Sequence, residues 1–344
     1  MVKNFEGSRA KEVAERAGVS RSAVSRAFNP DSYLDPKKRA RILKVAGEIG
    51  YQPNMAARAM VSNRSHLVAV LLPALQHPWE SQELDVLIGE LQAIGFATLV
   101  YKIPTADLQI AQVSHLRAYN PDSVIVYSDG LPTEGVKSLF NRARPIYPVY
   151  VNADACDLAS DSNINQGFDR LEIDQRPGIR RAMGMLAGSG CKTMVWLAGD
   201  DSTQSNIDRQ KVVLGYAKQY GLSVSESIPG DYSYERAREE ICAYFRAHPM
   251  VDALVAANDV SAFGAMDALR HDLGLKVPED VKVVGFDNIR QSNWKSYDLT
   301  TVGMDIHQRV RALVRLIRSR LKEPDAPDLY ERVETRLIVR GTVI

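Results

Sequence analysis

The chain has 344 residues, 45% hydrophobic and 25% charged, with a net charge of only +1. That length leaves room for two or three domains with a sizeable core, and the composition excludes disordered and collagen-like chains. The near-neutral total hides an asymmetry: residues 1–66 hold 13 Lys+Arg against 6 Asp+Glu, a local +7, and the remainder is acidic at −6. A basic head on an acidic body suits a head that meets a polyanion. Met1 to Gly7 holds no apolar run like that of a signal peptide, and Leu67 to Leu75 is too short to span a bilayer. Cys156, Cys191 and Cys242 are scattered without metal-ligand spacing. The expectation is a cytoplasmic protein with reduced thiols, no metal, no cofactor and no membrane partner.

In the head, Ala10, Val13, Ala14 and Ala17 recur at helical spacing, and Gly18 stops the run. Ser20 is a good N-cap for a second helix, Arg21 to Phe28, with Ala23, Val24 and Ala27 inward and Asn29-Pro30-Asp31 ending it. Asp35 with Pro36 opens a third helix that runs to about Ile49 and stops at Gly50. Two short helices around a glycine-centred turn have the helix-turn-helix layout, in which the second helix enters the major groove. Its outward positions are Arg21, Ser22, Ser25 and Arg26. An arginine fork matches O6 and N7 of guanine, with about 1–3 kcal/mol of discrimination per good pair. A small three-helix bundle with solvated charges has the same pattern. The cluster Lys37, Lys38, Arg39 and Arg41 reads mostly as a solvated face.

From Leu67 onward, apolar runs alternate with helical periods. Leu67–Leu72, Ala97–Tyr101, Ser123–Tyr127, Ile146–Val151, Thr193–Ala198, Ala253–Ala256 and Val281–Phe286 read as buried parallel strands. Helical stretches lie near 83–94, 106–118, 133–142, 178–187, 205–220, 233–247 and 260–272. The alternation predicts an α/β body with two parallel sheets, and ligands of such sheets lie outside the strands' carboxyl ends. Those ends carry Pro73 to Trp79, Ser128-Asp129, Asp200-Asp201, Asn258-Asp259 and Asp287-Asn288. Carboxylates and amides hold vicinal hydroxyls, and an aromatic face covers a sugar ring. Any one of these residues could equally cap a helix; several together favour a pocket. Leu84, Leu87, Ile88, Leu91 and Ile94 form a stripe suited to a core or a dimer face. A last helix, Asp305 to Lys322, turns Val310, Leu313, Val314, Ile317 and Leu321 inward. Its Arg309, Arg311, Arg315, Arg318, Arg320 and Lys322 are expected on a solvated outer face. No phosphate-binding loop, nucleophile elbow or zinc-binding helix motif occurs, so an enzyme is not expected.

The run VAERAGVSRSAVSRAFN, Val13 to Asn29, and the run GYQPNMAARAM, Gly50 to Met60, resemble the head and hinge of the lactose-repressor (LacI/GalR) family of bacterial transcription regulators. The likeness continues at lower similarity through nearly the whole chain. It implies an all-α helix-turn-helix domain over 1–53, a hinge helix and linker over 54–66, and an α/β two-lobed periplasmic-binding-protein-like body over 67–344. Lobe one would take roughly 67–165 plus 295–325, and lobe two roughly 166–294 plus 326–344. By position, Arg21, Ser22 and Arg26 would read bases and Ser20 would contact phosphate. Asn54 to Met60, with Asn54, Ala57, Arg58 and Met60 at the DNA, would be the hinge that folds in the minor groove beside its dimer mate. Arg58 and Arg64 flank it as phosphate candidates. The family's usual leucine wedge is Met60 here, a softer one. In the body, Asp174, Asn258 and Asp287 match the family's polar effector contacts, and Trp79 and Tyr232 its aromatic ones. The arginine common three residues before Gly215-Tyr216 is Val212 here, with Arg209 one turn earlier as its possible substitute. The implied function is a dimeric repressor of pseudo-palindromic double-stranded operator DNA, controlled by a small carbohydrate effector. The alternative is a cytoplasmic sugar-binding protein or enzyme of the same fold without regulatory DNA binding.

Overall fold

A computed structural model describes residues 5–29, 32–53, 64–72, 75–103, 115–127, 145–151 and 168–343. The chain divides into two compact units, Met1–His66 and Leu67–Ile344. Asn54, Ala57, Arg58, Met60, Pro73, Ser128 and Asp129 lie outside the described residues, as do the stretch 133–142 and most of 106–118.

The first unit holds α1 (Phe5–Ala17), α2 (Arg21–Ala27) and α3 (Pro36–Glu48). Its core is built of small side chains, with Val13, Ala17, Ala23, Val24, Ala27, Ile42 and Ala46 buried together. Alanines at the crossing points let short helices approach closely enough to exclude water. Gly18 sits at φ +60, a left-handed turn that any Cβ would strain, and so reverses the chain between α1 and α2. Ser20 Oγ accepts from the Ala23 N–H at 3.3 Å and Asp35 from the Lys38 N–H at 2.9 Å, capping α2 and α3. Arg39 departs from the solvated face expected of its cluster. Its guanidinium donates to the carbonyls of Ala27, Asn29 and Ser32, satisfying the carboxyl end of α2.

The second unit is built on two six-stranded sheets. The first comprises β1 (Leu67–Leu72), β2 (Ala97–Lys102), β3 (Ser123–Val126), β4 (Pro145–Val151), β5 (Asp169–Asp174) and β11 (Tyr330–Glu334), ordered β11-β5-β4-β3-β1-β2 and wholly parallel. The second comprises β6 (Thr193–Ala198), β7 (Ser223–Pro229), β8 (Ala253–Ala256), β9 (Lys282–Asp287), β10 (Thr300–Gly303) and β12 (Arg336–Ile338), ordered β12-β10-β9-β8-β6-β7. It is parallel except for β12 against β10. Between the strands run α4 (Pro78–Ala93), α5 (Arg176–Gly188), α6 (Gln204–Gln219), α7 (Tyr234–Ala247), α8 (Asp259–Asp267) and α9 (Ile306–Lys322). The apolar runs of β1, β6 and β9 are buried along five of their six residues, as strands covered on both faces must be. Leu87 and Leu91 of the α4 stripe are fully buried, and α4 packs against α9 within the chain.

The expected lobe boundaries shift. The chain passes from the first sheet to the second between β5 and β6, returns from β10 to β11 through α9, and crosses again between β11 and β12. Residues 169–174 and 330–334 therefore belong to the first sheet, and 300–303 to the second. Register explains this: β11 pairs with β5 from Tyr330↔Arg170 to Glu334↔Asp174, which only a strand in the first sheet can do. Thr335 lies between β11 and β12; its hydroxyl lies 3.1 and 3.0 Å from the carbonyls of Asp174 and Gln175, fastening one crossing to another.

The outer face expected of α9 also needs correction. Arg309 and Arg320 are buried, at 2% and 5% exposure. Arg320 makes a two-pronged bond to Asp169 at 2.5 and 2.9 Å and donates to the carbonyls of Pro324, Ala326 and Pro327. Arg309 meets Glu83 of α4 at 2.6 Å. Helical spacing alone cannot distinguish a charge facing water from one facing a buried partner 151 residues away, as Asp169 is from Arg320. Removing one member leaves the other charged and buried, so Asp169→Asn is expected to lower unfolding stability by about 3 kcal/mol. Urea denaturation of the two proteins checks this, and a difference below about 1 kcal/mol contradicts it.

Candidate functional site

In the head, α2 presents Arg21, Ser22, Ser25 and Arg26 to solvent on the face opposite its buried alanines. The Ser20 and Ser22 hydroxyls lie 2.9 Å apart, and Arg26 Nε reaches the Ser22 carbonyl at 3.4 Å. Two arginines on one exposed helix face, over a cap that leaves the helix start open, form a surface that can donate to base edges and phosphates.

In the body, the carboxyl ends of the two sheets meet, joined by contacts between their loops. From the first sheet come His77, Trp79 and Glu80 at the start of α4, and Asp174 and Gln175 after β5. From the second come Arg209 on α6, Asn258 after β8, and Asp287 at the end of β9. His77 Nε2 lies 2.7 Å from Asn258 Nδ2, Arg209 Nε donates to Gln175 Oε1 at 2.9 Å, and the Arg290 N–H donates to Gln82 Oε1 at 3.1 Å. His77 and Gln175 carry no motif, because their role depends on two segments meeting in space.

Arg209 is one helical turn before Val212, and both are buried. Its guanidinium lies 3.6 Å over the Phe286 ring and donates to the Ala257 carbonyl as well as to Gln175. A cation therefore occupies this region from a different rung of α6. Asp174 is bonded by Arg176 at 2.6 and 2.9 Å and by the Arg176 N–H at 3.0 Å. Burial pushes its pKa up, but these bonds and the Arg176 charge overcome that and hold it below the usual range. Trp79 is buried beneath Arg309, whose guanidinium lies 5.6 Å from the ring. Tyr232 sits at φ +56 after β7, and its hydroxyl is buried without a hydrogen-bond partner. Gln175 Nε2 is likewise buried without an acceptor.

Asp287 has the most exceptional setting. Asn288 takes φ +57, a left-handed conformation that Asn tolerates better than most residues, and Asp287 takes φ +109, a strained conformation outside that well; together they redirect the chain at the strand end. Burial raises the Asp287 carboxyl to about 6, against the Arg209 and His77 charges that pull it down. Asp259 beside it is buried and pushed to about 7 by burial and the Asp287 charge, despite bonds from Ser292 Oγ, Thr301 Oγ1 and the Ile289 N–H. Gly285 makes room for it: a Cβ there would lie 2.2 Å from Asp259 Oδ1. Asp259 thus ties the loop after β9 to β10 and aims Asp287. A surface groove of about 480 Å³, lined by Tyr234, Arg238, Cys242, Arg246 and Asp272, lies elsewhere on the second sheet's helices. Within it Arg238 is bonded to Asp272 at 2.6 and 2.7 Å. Among the described residues no group of His, Cys, Asp and Glu could hold a metal ion, and no helix is long and apolar enough to cross a membrane.

Comparison with known proteins agrees with both halves. Residues 10–54 match the profile of bacterial regulatory proteins, lacI family, and residues 183–343 that of the periplasmic binding protein-like domain. The chain is 23% identical over 333 residues to the ribose operon repressor of Halalkalibacterium halodurans, covering 96% of each. It is 24% identical over 321 residues to the sucrose operon repressor of Streptococcus mutans, covering 93% of this chain and 94% of that one. Its fold matches the lac repressor dimer bound to operator and the anti-inducer ONPF with a TM-score of 0.82 at 22% identity, over 97% of this chain and 98% of that one. The chain belongs to the lacI family of bacterial regulatory proteins, with a periplasmic-binding-protein-like domain behind its helix-turn-helix head.

Proposed function

We propose that this regulator, not an enzyme, is a dimeric repressor that binds pseudo-palindromic operator DNA through Arg21, Ser22, Ser25 and Arg26, with Ser20 on phosphate. Its operator affinity is set by a small carbohydrate bound between the lobes. The observation that carries the reading is the pairing of an exposed arginine face on α2 with a second, two-sheet unit whose strand ends converge on Asp287. Relatives bear names of ribose and sucrose operon repressors, which supports a sugar as the effector class. Asn54, Ala57, Arg58 and Met60 are assigned to the hinge by resemblance, and the cytoplasm is the compartment where operator DNA is found. The domains proposed are a head over 1–53, a hinge over 54–66, and a body from 67 on.

In the cleft, Trp79 and Tyr232 supply apolar faces, and Asn258 and Asp287 supply hydroxyl partners. Asp174 and Arg209 act with their present partners, Arg176 and Gln175, as preorganised groups. A sugar hydroxyl can satisfy the Tyr232 hydroxyl and Gln175 Nε2, which the protein leaves unpaired. The ligand shifts operator binding only by its differential affinity for the two lobe arrangements.

Selection from random DNA tests the head. The native chain is expected to enrich a two-fold symmetric motif, and Arg26→Ala to lose preference at one position per half-site, a relaxation worth about 1–3 kcal/mol. An identical motif from both proteins removes Arg26 from base reading. For the cleft, a thermal-shift screen of sugars supplies a ligand, and calorimetry then compares native protein with Asp287→Ala. The variant should lose ligand binding while its operator affinity without ligand stays unchanged; unchanged ligand affinity refutes the site. Because Asp287 is held to about 6, it accepts hydroxyl donors above that pH and is protonated below it. Ligand affinity should therefore fall as pH drops from 7 to 5, and a rise would contradict Asp287 as acceptor.

A further inference from the structure

Tyr232 is held at the carboxyl end of β6 by two close approaches of the backbone. After β7 the chain turns through Gly230, Asp231, Tyr232 and Ser233, closed by the Ser233 N–H on the Gly230 carbonyl at 2.8 Å. Asp231 and Tyr232 lie at φ +51 and +56. A bulky side chain is rare in that left-handed region, so the turn holds Tyr232 against its own backbone preference. Gly230 pins the turn to β6: its N–H donates to the Ala198 carbonyl at 2.9 Å, and a Cβ there would lie 2.9 Å from the same oxygen. The phenol then lands on Gly199, the residue after β6. A Cβ on Gly199 would overlap Tyr232 Cζ and Cε1 and lie 2.6 Å from the hydroxyl oxygen. Gly199 is fixed in turn, because its N–H donates to Asn206 Oδ1 at 2.7 Å. Asn206, fully buried on α6, also donates from Nδ2 to Asp201 Oδ1 at 3.0 Å. The ring is seated, yet its hydroxyl is buried with no partner. Strained backbone and an unpaired buried hydroxyl both count against stability. The second is offset only when something outside the chain supplies the missing hydrogen bond.

We propose that Gly199 is a positioning residue for effector selection: by lacking a Cβ it seats the Tyr232 phenol on the end of β6, where the hydroxyl is offered to one hydroxyl of a sugar ring and to nothing in the protein. The seat makes Tyr232 a test for that one hydroxyl. A sugar that bears it completes the bond. The deoxy analogue leaves the Tyr232 hydroxyl buried and unpaired, and so binds more weakly. Discrimination of this kind exceeds what an apolar ring face supplies, because the analogue leaves a buried polar group unmatched. The selection rests on the reading of the cleft as the effector site. The seating itself rests on the contacts alone.

Two measurements keep the seat and the effector reading apart. The first uses the full chain without sugar. Tyr232→Phe removes only the unpaired hydroxyl and should raise the melting temperature of the body by about 2 °C or more. In Gly199→Ala, where the ring is displaced from its seat, the same change should leave the melting temperature unmoved. An equal response to Tyr232→Phe in both backgrounds overturns the seat, as does a native chain that Tyr232→Phe destabilises. If Gly199→Ala does not fold, it is made in Tyr232→Ala, where the Cβ meets no ring and folding should return; continued failure overturns the seat. The second measurement takes the sugar that raises the native melting temperature most, from a panel of aldopentoses, aldohexoses and disaccharides, together with its monodeoxy analogues. One analogue should bind the native chain about tenfold more weakly than the parent sugar in calorimetry. Tyr232→Phe and Gly199→Ala should each bind that analogue and the parent alike. A native preference that survives unchanged in both variants, or no preference at all, overturns the proposal and leaves the cleft as the effector site. No melting shift with any sugar overturns the effector reading itself, and the selection falls with it.

Discussion

Buried carboxylates with partners far along the chain are what the rest of the body depends on. Asp169 is held by Arg320, Glu83 by Arg309, and Asp259 by Ser292 and Thr301. Each carboxylate taken from water is costly unless its partner arrives, so each enforces one pairing of distant segments. Asp169 fixes the return of α9 beneath the first sheet, and Glu83 locks α4 onto the same helix. Asp259 binds the loop after β9 to β10. These constraints set where the strand ends of the two sheets meet, and hence where Asp287, Asn258 and His77 can face one another.

The same logic gives the cleft its chemistry. Cations and anions there are mostly paired within the protein: Asp174 with Arg176, Glu83 with Arg309, and Arg209 with the Gln175 and Ala257 oxygens. Asp287, by contrast, is held ready by its backbone conformation and by neighbouring charge. A ligand rich in hydroxyls adds partners to such a site without bringing a new unpaired charge. The interlobe bonds make the ligand's contacts inseparable from the lobes' contacts with each other, which is the physical requirement for a binding event to be felt at a distance.

Much of this was legible in sequence. The helix caps Ser20, Asp35 and Asn258, and the apolar runs of β1, β6, β8 and β9, announce themselves by local rules. What local rules missed lay in pairings. β5 and β7 are broken by charged or polar residues, and β11 alternates like an edge strand, so none of them stood out as a buried run. The arginines of α9 looked solvated because their partners Glu83 and Asp169 are 226 and 151 residues away. His77 and Gln175 entered no motif, since each matters only through a neighbour on the other lobe. Asp174 and Asp287 stand out in sequence because they sit at strand ends and at positions that resemble the family's, and Arg209 because it lies one turn from such a position, whereas nothing local marks Arg176 and Gln175, which bond Asp174 and Arg209.

The account stands on coupling between cleft and head, and linkage gives it a direct measurement. With a sugar that binds the cleft and a selected operator, the full chain's operator affinity is measured with and without sugar, and its sugar affinity with and without operator. The account predicts that both ratios depart from one and are equal, because coupling free energy is reciprocal. Ratios of one on both sides would show two binding units that share a chain without controlling each other.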